Sequence, residues 1–170
     1  MESNKNLVFL GMMGSGKTTL GKIVSKKLNK KFIDIDQEIE AQEGIKIYDL
    51  FQKKGEPFFR KLEEKISLQY LKKTNSVISL GGGAFLNTKI QNEVLKNHIS
   101  IWLKWDNKNL INRIKNSQKR PIAIQSNDID LNKLINKRSK IYAKAKYQIK
   151  CDKLTKLEIT NKIIELNERN

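Results

Sequence analysis

Residues 11 to 19, Gly-Met-Met-Gly-Ser-Gly-Lys-Thr-Thr, carry the most specific chemistry in the chain, because Gly11, Gly16, Lys17 and Thr18 complete the pattern GxxxxGK[ST]. That pattern implies a nucleoside triphosphate with its magnesium. Backbone N–H groups must converge on phosphate oxygens, which demands residues free to take positive φ with no side chain in the way, and Gly11, Gly14 and Gly16 meet that demand. Lys17 supplies a point charge for the β and γ phosphates, and the Thr18 hydroxyl suits Mg²⁺ from the first turn of a helix whose N-terminus favours anions. The predicted phosphate-binding set is Gly14, Ser15, Gly16, Lys17, Thr18 and Thr19. A chance Gly-Ser-Gly turn before a helical lysine is opposed by the context: Asn6 to Leu10 reads as a buried strand entering the loop, and Thr18 to Leu28 as the helix leaving it.

Asp34 and Asp36 close a second strand, Phe32 to Ile35, and alternation in an extended segment would point both carboxylates to one side, at the strand end where parallel sheets bind ligands. One acid suits magnesium, the other an acceptor hydroxyl or its proton; a helix cap at Asp36 is the competing reading. Gly81-Gly82-Gly83 directly follows a third strand, Ser76 to Leu80. Three glycines cost conformational entropy that a plain turn rarely needs, so close backbone approach to a ligand is the favoured reading. The same strand lacks the terminal acid of a hydrolytic motor, which points to a kinase that takes its metal ligand elsewhere, from Asp34.

Arginine is the other signal. Of 34 basic residues only five are arginine, at positions 60, 113, 120, 138 and 169. A chain that otherwise uses lysine should keep arginine where a planar fork must grip carboxylate or phosphate, so Arg60, Arg113, Arg120 and Arg138 become site candidates, with Arg169 discounted at the chain end.

The elements that must hold these residues alternate between strand and helix, which predicts an α/β fold on a parallel sheet. A short helix carries Ile47, Leu50 and Phe51; Gly55-Glu56-Pro57 breaks it, and a second helix turns Leu62, Ile66 and Tyr70 inward. A helix over 89–95, a strand over 98–103 and a helix capped by Asp106 and running to Ile114 follow. Residues 119–127 lack periodicity and read as a loop or lid; a helix from Asp130 to about Lys146, a last strand over 147–151 and a helix opened by a Thr155-x-x-Glu158 capping box complete the chain.

At 170 residues the chain fits one domain that buries roughly 70% of its unfolded surface. No apolar run reaches the length of a signal or membrane segment, so a cytoplasmic location without a membrane partner is expected. The net charge of +16 invites a nucleic-acid partner, but the lysines are scattered and not interleaved with aromatics, so a solvated surface is expected instead. Cys151 and His98, one of each type, read as packing residues.

The ordered set Asp34-Ile-Asp36, Phe59-Arg60-Lys61-Leu62-Glu63, Gly81-Gly-Gly83, Arg120-Pro121 and Lys137-Arg138-x-x-x-Tyr142, with the phosphate loop, resembles the shikimate kinases from end to end. The resemblance implies a single P-loop domain over 1–170, related to nucleoside monophosphate kinases. It has about five parallel strands flanked by helices and a mobile lid over about 117–128. It implies a monomeric enzyme that uses ATP and Mg²⁺ to phosphorylate the 3-hydroxyl of shikimate in aromatic amino-acid biosynthesis. Asp36, Arg60, Arg138 and the turn Gly81, Gly82 and Gly83, chiefly Gly82, would hold shikimate. Lys17, Asp36 and Arg120 would be catalytic, with Arg120 in the lid over the phosphates; Thr18 and Asp34 would hold the metal. Arg113 would lie near the adenine, flanked by the loop from Asp152 to Leu154, and Glu63 would anchor Arg60, although its spacing equally fits a solvated helical acid. The residue after Arg120-Pro121 is Ile122 where the family commonly has leucine. Gluconate or a nucleotide as acceptor, an ATP-gated nucleic-acid-binding module, and a relative that binds without turnover are the alternatives.

Overall fold

β1 (Leu7–Leu10) is buried along its whole length at the centre of a five-stranded sheet, with β3 (Ser76–Ser79) on one side and β4 (Ile99–Lys104) on the other. The edges are β2 (Lys31–Asp34) and β5 (Tyr147–Lys150), giving the order β2-β3-β1-β4-β5 with every neighbouring pair parallel. The computed structural model describes residues 5–116 and 127–170. The expected lid over 117–128 and Arg120 therefore fall almost wholly outside the described residues, as do Pro121 and Ile122.

A parallel sheet needs both faces covered, which is why its central strands read as continuous apolar runs. Alternation along β1 sends Leu7 and Phe9 to one face and Val8 and Leu10 to the other. The first face is covered by α1 (Lys17–Lys27) and α7 (Lys156–Glu168) through Leu20, Val24, Ile159 and Ile163. The second face meets α2 (Ile35–Glu43), α3 (Ile47–Leu71), α4 (Thr88–Asn97), α5 (Asn107–Lys115) and α6 (Asp128–Tyr142), which contribute Ile39, Leu62, Val94, Ile114 and Ile135. Leu62 and Ile66 turn inward as the periodicity predicts, and Tyr70 packs at the rim of the same core.

Most predicted boundaries lie within a few residues of those observed, and the departures have local causes. The break expected at Gly55 is present: Gly55 takes φ 78° and ψ 167°, outside the helical region, so α3 is two helices that meet at a kink. Asp106 precedes α5 but makes no side-chain cap; its N–H instead donates to the Asp152 carboxylate at 3.1 and 3.0 Å. α6 starts two residues earlier than predicted because the Asn127 side chain accepts from the Asp130 N–H at 2.8 Å, and it ends four residues earlier, at Tyr142. The Thr155–Glu158 capping box forms in both directions. Among the described residues no helix is long and apolar enough to cross a membrane.

Candidate active site

The phosphate loop leaves the C-terminal end of β1 with Gly11, Gly14 and Gly16 at φ 144°, 76° and 95°, a region costly for any residue with a Cβ. Gly16 is the residue before α1, whose first-turn N–H groups lack partners within the helix and face the same space. Lys17 is buried and spans the loop, its Nζ donating to the carbonyls of Gly11 at 2.8 Å and Met12 at 3.0 Å.

The Asp34–Asp36 pair differs from the expectation of one extended segment. β2 ends at Asp34 and α2 begins at Ile35, so alternation does not govern the two carboxylates. Asp34, not Asp36, is the helix cap: its Oδ1 accepts from the N–H of Asp36 at 3.1 Å and of Gln37 at 3.4 Å. Its Oδ2 accepts from the Thr18 hydroxyl at 2.6 Å, joining the second strand to the phosphate loop. In register, Asp34 pairs with Ser79, so the carboxylate that β3 lacks stands on the neighbouring strand.

Asp36, in the first turn of α2, instead faces the glycine turn. A Cβ on Gly81 would stand 2.6 Å from Glu63 Oε1 and 2.8 Å from Asp36 Oδ1; one on Gly83 would stand 2.5 Å from a terminal nitrogen of Arg60. None of these three glycines has a positive φ. Their role is therefore room rather than backbone freedom: the turn is bare so that two acids and a guanidinium can press against it.

Behind the turn, Arg60 is held by two carboxylates on its own helix, Glu63 at 2.7 Å and Glu56 at 3.2 Å. Burial acts against the Arg60 charge, but those two carboxylates outweigh it and raise its pKa, so it stays a cation. Glu63 is 3% exposed, and burial, the largest influence, lifts its pKa above the usual carboxylate range although Arg60 and Arg138 pull it down and Asp36 pushes it further up. This environment separates the two readings that spacing left open, because Glu63 is a buried partner of Arg60 and not a solvated acid. Arg138, from α6, brings a second guanidinium to the same cavity of about 430 Å³, which Glu56, Arg60, Glu63, Gly83 and Leu134 also line. Its buried Nε has no hydrogen-bond partner among the described residues.

Gly82 lies where this cavity meets the phosphate loop: a Cβ there would be 3.3 Å from Arg138, 3.4 Å from the Met13 N and 3.8 Å from the Gly11 O. Two guanidiniums, two acids and a phosphate loop thus converge on one glycine turn.

The sequence model described as shikimate kinase matches residues 13–168. A shikimate kinase of a Sulfurihydrogenibium species is 40% identical over 160 residues, which cover 94% of this chain and 96% of that protein. The chain belongs to the shikimate kinase family. The kinase is also 38% identical to the shikimate kinase of Persephonella marina, across 94% of its own length and 97% of the relative's. Its fold superimposes on the shikimate kinase of Acinetobacter baumannii, solved in complex with shikimate, with a TM-score of 0.91 at 28% identity, covering 99% of this chain and 96% of that one.

Two residues of this kinase's site had no role assigned from the sequence: Met12, and Tyr142, which entered only as the last letter of a motif. Tyr142, 1% exposed, donates its hydroxyl to the Gly82 carbonyl and so fixes the turn from behind; burial pushes its pKa up to about 12. Its spacing of four from Arg138 on one helix face was the available hint. Met12 packs its sulfur against Arg138 at 3.7 Å and Tyr142 at 3.9 Å. Arg113 lies against the phosphate loop, its Nε donating to the Gly14 carbonyl at 2.8 Å. Cys151 is buried, and burial foremost pushes its thiol up to about 12, which leaves no thiolate near neutral pH. His98 sits at the far end of the sheet, where burial lowers its pKa.

Proposed function

We propose that this kinase transfers the γ-phosphoryl group of ATP to the 3-hydroxyl of shikimate, a step of aromatic amino-acid biosynthesis. The observation that carries the reading is the shared wall at Gly82, which sets an acceptor cavity holding Arg60 and Arg138 directly beside the phosphate loop. Two planar guanidiniums suit one small carboxylate, and the bound acceptor would present a hydroxyl toward Asp36 and the loop. A monomer acting in the cytoplasm is part of this proposal, the location being supported by the need for a supply of ATP.

Phosphoryl transfer is helped mainly by alignment and neutralisation of charge. Lys17 would offer its ammonium to the β and γ oxygens in exchange for the Gly11 and Met12 carbonyls it now contacts. Asp36 would orient the acceptor hydroxyl and take its proton as the phosphoryl group arrives. Arg120, outside the described residues, would close over the phosphates and exclude water. Thr18 and Asp34 suit Mg²⁺: two hard oxygens 2.6 Å apart stand beside the loop, and the described residues hold no group of three or more His, Cys, Asp and Glu. That donor set matches an ion that keeps waters and phosphate oxygens in its shell, and Mg²⁺ when bound would neutralise the charge of the triphosphate.

The test is a coupled ADP-release assay offering shikimate, quinate, gluconate and nucleoside monophosphates side by side, with products weighed by mass spectrometry. Shikimate should be the preferred acceptor. Turnover with gluconate or a nucleotide and none with shikimate would overturn the proposal.

A further inference from the structure

We propose that Trp105 is a positioning residue for the phosphate loop, acting with Arg113 to hold the loop's peptides so that the Gly16 N–H is aimed at the nucleotide phosphates. The inference rests on the reading of residues 11–19 as the ATP site. It adds a residue outside the motifs that define that site.

Trp105 directly follows β4, the strand beside β1, so it leaves the sheet next to the segment that leaves β1. Its Nε1 donates to the Ser15 carbonyl at 2.9 Å, a contact across 90 positions of sequence. The Arg113 guanidinium lies over the indole ring, 4.1 Å from its centroid, while the Arg113 Nε donates to the Gly14 carbonyl at 2.8 Å. A stacked tryptophan and arginine thus hold two consecutive loop carbonyls from outside.

In a trans peptide the C=O and the following N–H point in opposite directions. Fixing the Ser15 carbonyl on the indole therefore aims the Gly16 N–H away from Trp105, at the start of α1. Fixing the Gly14 carbonyl on Arg113 aims the Ser15 N–H inward, where it donates to the Met12 carbonyl at 3.2 Å. This restraint matters because glycines on both sides of Ser15 leave those peptides free to rotate unless something outside the loop holds them. The backbone just after Trp105 is held as well: the Asp152 carboxylate accepts from the Asp106 N–H at 3.1 and 3.0 Å and from the Asn109 side chain at 2.8 Å. That link ties the segment carrying Trp105 to the one after β5.

The test compares the wild type with Trp105→Phe, which keeps a ring beneath Arg113 and removes the donor. A second variant replaces Trp105 by benzothienylalanine, which keeps the two-ring outline and lacks only the N–H. Loss of one hydrogen bond at a phosphate-binding peptide should weaken ADP binding, read by calorimetry, and raise KM for ATP by about tenfold. The KM for shikimate and the melting temperature of the benzothienylalanine variant should stay at wild-type values. Unchanged ADP affinity in both variants would overturn the proposal, as would equal rises in both KM values. A wild type that binds no ADP would refute the reading of the ATP site itself; a wild type that turns over normally beside indifferent variants would refute only the role of Trp105.

Discussion

Replacing Gly83 with alanine should damage shikimate binding while leaving the fold and the ATP site intact. The backbone there, φ −103° and ψ −13°, suits any residue, so the substitution introduces no strain of its own. Its cost is contact: the new methyl would stand 2.5 Å from one terminal nitrogen of Arg60 and 2.9 Å from the guanidinium carbon. Ordinary contact begins near 3.4 Å, so the guanidinium must withdraw by about 0.9 Å (3.4 less 2.5). The nitrogen it displaces is the one bonded to Glu63 at 2.7 Å, and a shift of that size strains or breaks the bond and turns the fork away from the cavity. A charge-assisted hydrogen bond contributes about 1.5–3 kcal/mol, which corresponds to a rise of about 10- to 150-fold in KM for shikimate. Arg60 is a long side chain, 35% exposed, and can move without opening the core, so the melting temperature should fall by no more than a few degrees. Steady-state kinetics with each substrate varied in turn, beside a thermal melt, give the answer. An unchanged KM for shikimate would refute the claim that this turn is bare to make room for Arg60, and a parallel rise in KM for ATP would show that the damage is not confined to the acceptor cavity.

Two further outcomes follow from the same geometry. Lys17→Ala should lower turnover far more than shikimate affinity, because Lys17 lies on the phosphate loop and not among the residues lining the acceptor cavity; equal losses in kcat and in a separately measured shikimate Kd would contradict that division. Tyr142 titrates at about 12 when folded and near 10 when unfolded, so the folded state holds its proton more tightly and this residue's contribution, full below pH 10, is lost as pH rises toward 12. The loss is on the order of 2–3 kcal/mol, and urea melts at pH 9 and pH 11.5 should show a steeper decline for the wild type than for Tyr142→Phe; identical slopes would count against a buried, protonated phenol at that position.

Local features were largely legible in the residue order. The phosphate loop, the alternation of strands and helices, the bend at Gly55 and the Thr155–Glu158 capping box all depend on interactions spanning a few residues, and chain spacing encodes those directly. Scarcity of arginine also pointed to Arg60, Arg113 and Arg138, since side-chain chemistry survives without knowing the fold. The Asp34–Asp36 pair shows where such reasoning stops. Whether a strand continues for one more residue or turns into a helix decides which acid caps and which faces the turn, and Asp34 settles it by accepting from the N–H groups of Asp36 and Gln37 in α2.

What the sequence by itself determined is the phosphate-loop chemistry, the α/β class and, through ordered motifs, the family. What only the tertiary structure decided is which distant groups meet. The strand order β2-β3-β1-β4-β5 sets β1 between strands some seventy and ninety residues away, and periodicities of two and 3.6 residues carry no information about such neighbours. For that reason the bareness of Gly81 and Gly83 reads from the sequence as room for a ligand, whereas packing presses the protein's own Asp36, Glu63 and Arg60 against them. Trp105, silent as a letter in the chain, gains its meaning only from the Ser15 carbonyl that packing brings within reach of its indole.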